Sequence, residues 1–279
     1  MKKIIAVIDG LKYSGCTTNY AMQIAKATNS HLVGIFLDDK TYSSYKIYDL
    51  LVQEGMTENK LKEFEKKDTA TRNKAAALFE NACRKEGVTY SIHHDRNIAL
   101  QEVLHESIYA DLLIIDSKET FTHYNEKLPT RFIRNLLAEV QCPAVIVSSK
   151  YKPIQKVILL YDGGPSSVYA IKEFSYLLPE FKNIKTEILS VNPEDSTLRL
   201  PDIKLMKEFM TRHFPDADYN VIKGWAEDEI VKHLKQQKES CLVVLGAYRR
   251  GTVSRWFRES MADLLMKEQK HTLFVAHNK

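Results

Sequence analysis

The run Lys2-Lys3-Ile4-Ile5-Ala6-Val7-Ile8-Asp9-Gly10 returns as Gln155-Lys156-Val157-Ile158-Leu159-Leu160-Tyr161-Asp162-Gly163, so one structural unit is written twice in 279 residues. A short apolar run ending in Asp-Gly is what a strand buried on both faces looks like where it emerges at the carboxyl edge of a parallel sheet. Two halves of near-equal length are each long enough to bury a core without metal or disulfide help. Cys16, Cys83, Cys142 and Cys241 form no C-x-x-C pair. With no signal peptide and no apolar run that could span a bilayer, the expectation is a reduced, soluble, cytosolic protein with no membrane partner. The net charge of +4 comes from 40 basic and 36 acidic residues interleaved along the chain. That balance argues for a solvated surface and against a nucleic-acid partner.

Behind the first strand, Ala21, Met22, Ile24 and Ala25 recur at helical spacing between residues 17 and 28, and the strand 31–37 follows. The charged, glycine-poor stretch from about 56 to 86 carries Leu61, Phe64, Ala75, Leu78, Phe79 and Ala82 at helical spacing and stops at Gly87. The pattern continues as a strand at 88–92, a helix at 99–109, a strand at 111–116, a helix at about 130–140 and a strand at 143–147. The second half repeats the order: strand 156–161, helix 166–178, strand 185–191, helix 199–213, strand 218–222, helix 226–238, strand 241–246, helix 260–269 and strand 271–276. Five strands alternating with four helices in each half imply an α/β fold of two repeated open parallel sheets with helices on both faces. The polar, proline-bearing segment 150–153 divides residues 1–150 from 151–279. Ligands on such sheets lie outside the carboxyl ends of the strands, the edge that carries Asp9, Asp116, Asp162 and Gly246.

The Asp ending the first strand, and the loop Gly246-Ala247-Tyr248-Arg249-Arg250-Gly251-Thr252-Val253-Ser254-Arg255-Trp256-Phe257-Arg258-Glu259-Ser260, carry a resemblance. The chain resembles the universal stress protein family, as a tandem member. In that family the loop reads G-x-x-G-x9-G-[ST]; Gly246 and Ser260 fall on motif positions, while Arg249 and Glu259 replace the second and third glycines. The loop of the first half, 116–130, contains no glycine. The resemblance implies an adenine nucleotide alpha hydrolase-like fold with strand order 3-2-1-4-5. It also implies a site for ATP or a related adenine nucleotide in the second half. There Asp162 (Asp9 in the first half) approaches adenine or ribose, Val191 offers backbone to adenine, and Gly246, Arg249, Gly251 and Ser260 belong to the phosphate loop.

The replacements bear on that site. Glycines let backbone N–H groups come against phosphates without a Cβ in the way. Glu259 brings a negative charge to the same place, whereas Arg249, Arg250, Arg255 and Arg258 supply guanidinium groups for an anion.

Each residue also has a plainer reading. Ser260 with Asp263, and Thr130 after Pro129, are helix-start signals in their own right. Asp9 and Asp162 can serve only to close an Asp-Gly turn. His93 and His94 point to opposite faces of a strand, which disfavours a metal site. The thiols have no neighbouring base and read as buried small apolar residues. Trp256 and Phe257 among arginines read as packing rather than as a base-stacking platform.

The resulting expectation is a non-catalytic stress-response or signalling protein, with an ATP-hydrolysing enzyme and a structural adaptor that binds no nucleotide as alternatives. The apolar last strands, 144–147 and 273–276, are expected to join the two halves as an intramolecular pseudo-dimer. Further pairing into a homodimer and binding of protein partners are compatible with that arrangement.

Overall fold

In the computed structural model, which describes residues 2–39, 58–122, 124–148, 150–246, 260–268 and 270–277, the chain divides into two units, Met1–Cys142 and Pro143–Lys279. The first unit runs β1 (Lys3–Asp9), α1 (Gly15–Ala27), β2 (His31–Leu37), α2 (Glu58–Glu86), β3 (Tyr90–Asp95), α3 (Ala99–Ser107), β4 (Leu112–Asp116) and α4 (Arg131–Glu139). Its strands are parallel in the order β3-β2-β1-β4. The repeated apolar run is the middle of that sheet: Ile4, Ile5, Val7 and Ile8 are each at most 1% exposed, and burying such a side chain contributes about 1.5–3 kcal/mol. Helix α1 packs beside α2, and α3 beside α4.

The second unit runs β5 (Ala144–Val147), β6 (Lys156–Leu160), α5 (Pro165–Leu177), a 3-10 turn (Pro179–Asn183), β7 (Lys185–Asn192), α6 (Ile203–His213), β8 (Asp218–Lys223), α7 (Ala226–Gln236), β9 (Cys241–Gly246), α8 (Met261–Glu268) and β10 (Thr272–Ala276). The order is β5-β10-β9-β6-β7-β8, parallel except for β5, which runs antiparallel to β10 with Val145 opposite Phe274. In the numbering of one repeat, β8-β7-β6-β9-β10 is the order 3-2-1-4-5. The first copy keeps 3-2-1-4 in its own unit, and its last strand is part of the second. The two apolar last strands therefore pair, and the division falls at Cys142–Pro143, ahead of the polar segment 150–153.

Three local readings shift. The strand expected at 88–92 is β3 at 90–95, because Val88 still belongs to the end of α2. Gly87 takes φ +69° and the Val88 N–H reaches the Cys83 carbonyl at 3.0 Å, a glycine-closed helix end. The buried stripe of α2 is Ala75, Ala76, Phe79 and Cys83; Leu78 is 44% exposed. The helix expected from 199 begins at Ile203, since Pro201 and the left-handed Asp202 (φ +44°) precede it. Among the described residues no helix is long and apolar enough to cross a membrane.

Candidate functional site

In both copies the Asp that ends β1 or follows β6 first serves its own turn. Asp162 Oδ1 accepts from the Gly164 N–H at 2.8 Å and from Ser167 Oγ at 2.6 Å. Gly163 between them takes φ +80°, and Pro165 opens α5. Asp162 nevertheless stays exposed. On the adjacent strand Gly246 ends β9 pressed against the start of α5: a Cβ there would lie 2.4 Å from the Ser166 carbonyl oxygen. Asp162 and Gly246 thus flank one helix N-terminus, a place where backbone N–H groups favour anions.

On the other side of β6, the segment 193–202 is drawn over the sheet edge. Asn192 Nδ2 donates to the carbonyls of Thr197 and Arg199 (2.9 and 2.8 Å), and the Tyr161 hydroxyl donates to that of Pro201 at 3.1 Å. Outside that strap is a cavity of about 480 Å³ whose walls include Val191, Pro193, Glu194, Asp195, Trp225 and Glu227. Its lining includes neither Asp162 nor Gly246. Ser260 caps α8, accepting from the Asp263 N–H at 3.1 Å. Arg249 and Gly251, together with Arg250, Arg255, Trp256, Phe257, Arg258 and Glu259, lie outside the described residues.

The first unit fills the same edge with its own side chains. Register places Leu37 where Val191 stands and Asp116 where Gly246 stands. The Leu37 carbonyl accepts from Arg72 of α2 at 2.8 Å, and the same guanidinium pairs with Asp38 at 2.9 Å. Asp116 takes the Ser14 hydroxyl (3.1 Å) and the Lys118 N–H (2.9 Å). Asp9 is 6% exposed and accepts from the Leu11 N–H at 2.8 Å. Burial pushes its carboxyl up, against that N–H and the charges of Arg72 and Lys12.

Glu119 completes the first edge. Its Oε1 accepts from the backbone N–H groups of Thr120 and Phe121, both at 3.0 Å, where Phe121 takes φ +50°. Its carbonyl accepts from Thr130 Oγ at 2.6 Å, while Thr130 caps α4 through the Ile133 N–H. Burial, then the charge of Asp9, pushes the Glu119 carboxyl up to about 7 against those two N–H groups. Three carboxylates therefore crowd this edge, each less than a tenth exposed. A phosphate arriving there meets buried carboxyl groups that already resist ionising beside one another, and backbone donors already bound.

Sequence reasoning missed Arg72, Glu119 and Trp225. Glu119 sits three residues beyond Asp116, in a loop that offers no glycine to an anion. Trp225 follows Gly224 at a strand end, a signal that was readable. Arg72 lies within an evenly charged helix and gave none. Of the other candidates, His93 pairs with Glu106 at 2.6 Å. All four cysteines are buried, and burial pushes Cys16 up to about 12 and Cys83 and Cys241 up to about 11.

No family model matches the sequence, and no curated protein matches it. Solved structures do. A universal stress protein from Archaeoglobus fulgidus superposes with a TM-score of 0.74 at 12% identity, covering 99% of this chain and 98% of that one. A Pseudomonas aeruginosa chain assigned to the universal stress proteins gives 0.62 at 15% identity, covering 99% and 93%. A functionally unknown protein of the same species gives 0.62 at 14%, covering 99% and 92%. Over its whole length the chain has the fold of the universal stress proteins.

Proposed function

We propose that the protein is a non-catalytic stress-response or signalling protein whose second unit binds ATP or a related adenine nucleotide. The base lies toward Val191, the ribose at Asp162, and the phosphates toward Gly246 and Ser260 with Arg249 and Gly251. The observation that carries this reading is the cavity of about 480 Å³ with Val191 in its wall. It opens at the ends of β7 and β8, beside the strand that delivers the exposed Asp162. From β8 across β7 and β6 to β9 is three strand spacings, ~14 Å, a span that base, sugar and phosphates together cover. The crowded carboxylates of the first unit support one site per chain rather than two.

Calorimetric titration with ATP tests the reading. Heat of binding in the parent, its loss in Asp162→Ala and no release of phosphate are expected. Absence of heat in the parent would favour the structural adaptor, and steady phosphate release an enzyme.

A further inference from the structure

Trp225 is 79% exposed, a large indole left in water at the mouth of a cavity. Its position is built. Gly224 takes φ +139° with no room for a Cβ, which would lie 2.7 Å from Glu229 Cγ, and the Gly224 N–H bonds to the Asn192 carbonyl at 3.0 Å. Trp225 then stands at the start of α7 without a side-chain capping bond. The indole is fixed to the edge of the sheet by its backbone and free at its ring. An exposed aromatic face beside an apolar wall of Val191, Pro193 and Ala226 suits a flat ring.

The polar part of the wall has one sign. Glu194, Asp195 and Glu227 line the cavity, and none of them forms an ion pair among the described residues. Lys223, at the end of β8, donates to the Glu194 backbone carbonyl at 3.1 Å rather than to a carboxylate. Carboxylates accept N–H and O–H donors and repel phosphate.

We propose that Trp225 and these three carboxylates form the base end of the nucleotide site. The indole stacks on the base, and one or two of the carboxylates accept from its amino group while the three together turn phosphate away from this end. The inference rests on the nucleotide reading and adds a direction and a selectivity to it: the ligand carries its phosphates on the 5′ side alone. Nucleotides with a further phosphate on the 2′ or 3′ oxygen are discriminated against.

The test uses the full chain with Trp256→Phe, so that Trp225 is its single tryptophan. Adding ATP should quench Trp225 emission in step with the calorimetric heat. Trp225→Ala should weaken ATP binding roughly tenfold to hundredfold, the worth of one stacked base, while Trp225→Phe stays within a few-fold of the parent. AMP should bind at least about fivefold tighter than adenosine 3′,5′-bisphosphate, by like-charge repulsion. The triple variant Glu194→Gln, Asp195→Asn, Glu227→Gln should narrow that difference by at least about half, the Asp162 carboxylate at the ribose accounting for what remains. Calorimetric binding of ATP with unchanged Trp225 emission and full affinity in Trp225→Ala would overturn the inference while leaving the nucleotide reading in place. Equal binding of the two phosphorylated adenosines by the parent would overturn the selectivity. No binding of ATP by either readout would remove the nucleotide reading itself.

Discussion

Asp9 and Asp162 occupy the same place in the repeat, and only one of them reaches water. Around Asp9 the first copy has a guanidinium on the Leu37 carbonyl and a glutamate on its own loop N–H groups, with Asp116 where the second copy has Gly246. Around Asp162 the second copy leaves a cavity and an exposed indole. The same sheet edge thus serves once as packing and once as a candidate site. The difference lies in side chains delivered from α2 and from the loop after β4, not in the strands.

A second pair of positions teaches the complementary lesson. Lys3 and Lys156 begin the equivalent strands, and each holds a glutamate that also meets a histidine. In the first copy Glu106 is on α3 and His93 on β3; in the second Glu187 is on β7 and His233 on α7. The charge arrangement recurs although strand and helix have exchanged the acid and the imidazole. Burial opposes the ionised form of both glutamates. The hydrogen bonds of Lys3 and His93 still bring Glu106 below its ordinary value, and His233, Lys156 and Asn220 hold Glu187 at about 2.

The largest expected effect separates these two clusters. Glu187→Ala leaves Lys156, whose side chain is 8% exposed, with the Gln237 amide oxygen but without its carboxylate, and should cost about 3–5 kcal/mol in urea unfolding. Glu106→Ala removes a more open partner of Lys3 and should cost roughly 1 kcal/mol. Equal losses would mean that the two clusters are energetically alike.

Next in size is a pH effect of opposite sign in the two copies. Glu119 is raised from 4.5 to about 7 in the folded chain, so the native state holds its proton more tightly than the unfolded state. Its contribution is present below pH 4.5 and is lost as pH rises toward 7, roughly 3 kcal/mol in all. Glu187 is lowered, and its contribution is present above pH 4.5 and lost as pH falls toward 2. Glu119→Gln, which keeps an acceptor for the two N–H groups, should flatten the fall in stability between pH 4.5 and 7. An unchanged slope in thermal melts across that range would count against the buried carboxylate cluster.

A smaller contrast lies in the repeated Asp-Gly. Gly163→Ala places a Cβ at φ +80°, 2.7 Å from Pro201, and should cost about 1–2 kcal/mol. Gly10→Ala meets Arg72 Cγ at 3.0 Å, with no positive φ, and should cost less than Gly163→Ala, about 1 kcal/mol. Urea midpoints compared at constant m report the difference.

Much of the frame is legible in the residues, because a duplicated strand, helical spacing and Gly87 act locally. Thr130 and Ser260 cap their helices as their sequence contexts imply. The Asp-Gly turns close through the residue two beyond each Asp. What could not be read depends on partners far along the chain. Arg72 reaches a carbonyl 35 residues away, and nothing within an evenly charged helix marks which arginine will do so. The transfer of β5 to the second unit follows from its pairing with β10, which apolar composition implies but does not assign to a unit. The cavity beside Val191 requires a folded strap and a glycine at φ +139°, neither of which has a spacing rule.

The most direct test of the contrast between the two edges is the number of ATP molecules held by one chain. Equilibrium dialysis with labelled ATP, at saturating ligand, should give one per chain in the parent and in Asp9→Asn, and none in Asp162→Ala. Two per chain, or a site lost through Asp9→Asn and kept in Asp162→Ala, would contradict the assignment of a closed edge to the first copy and an open one to the second.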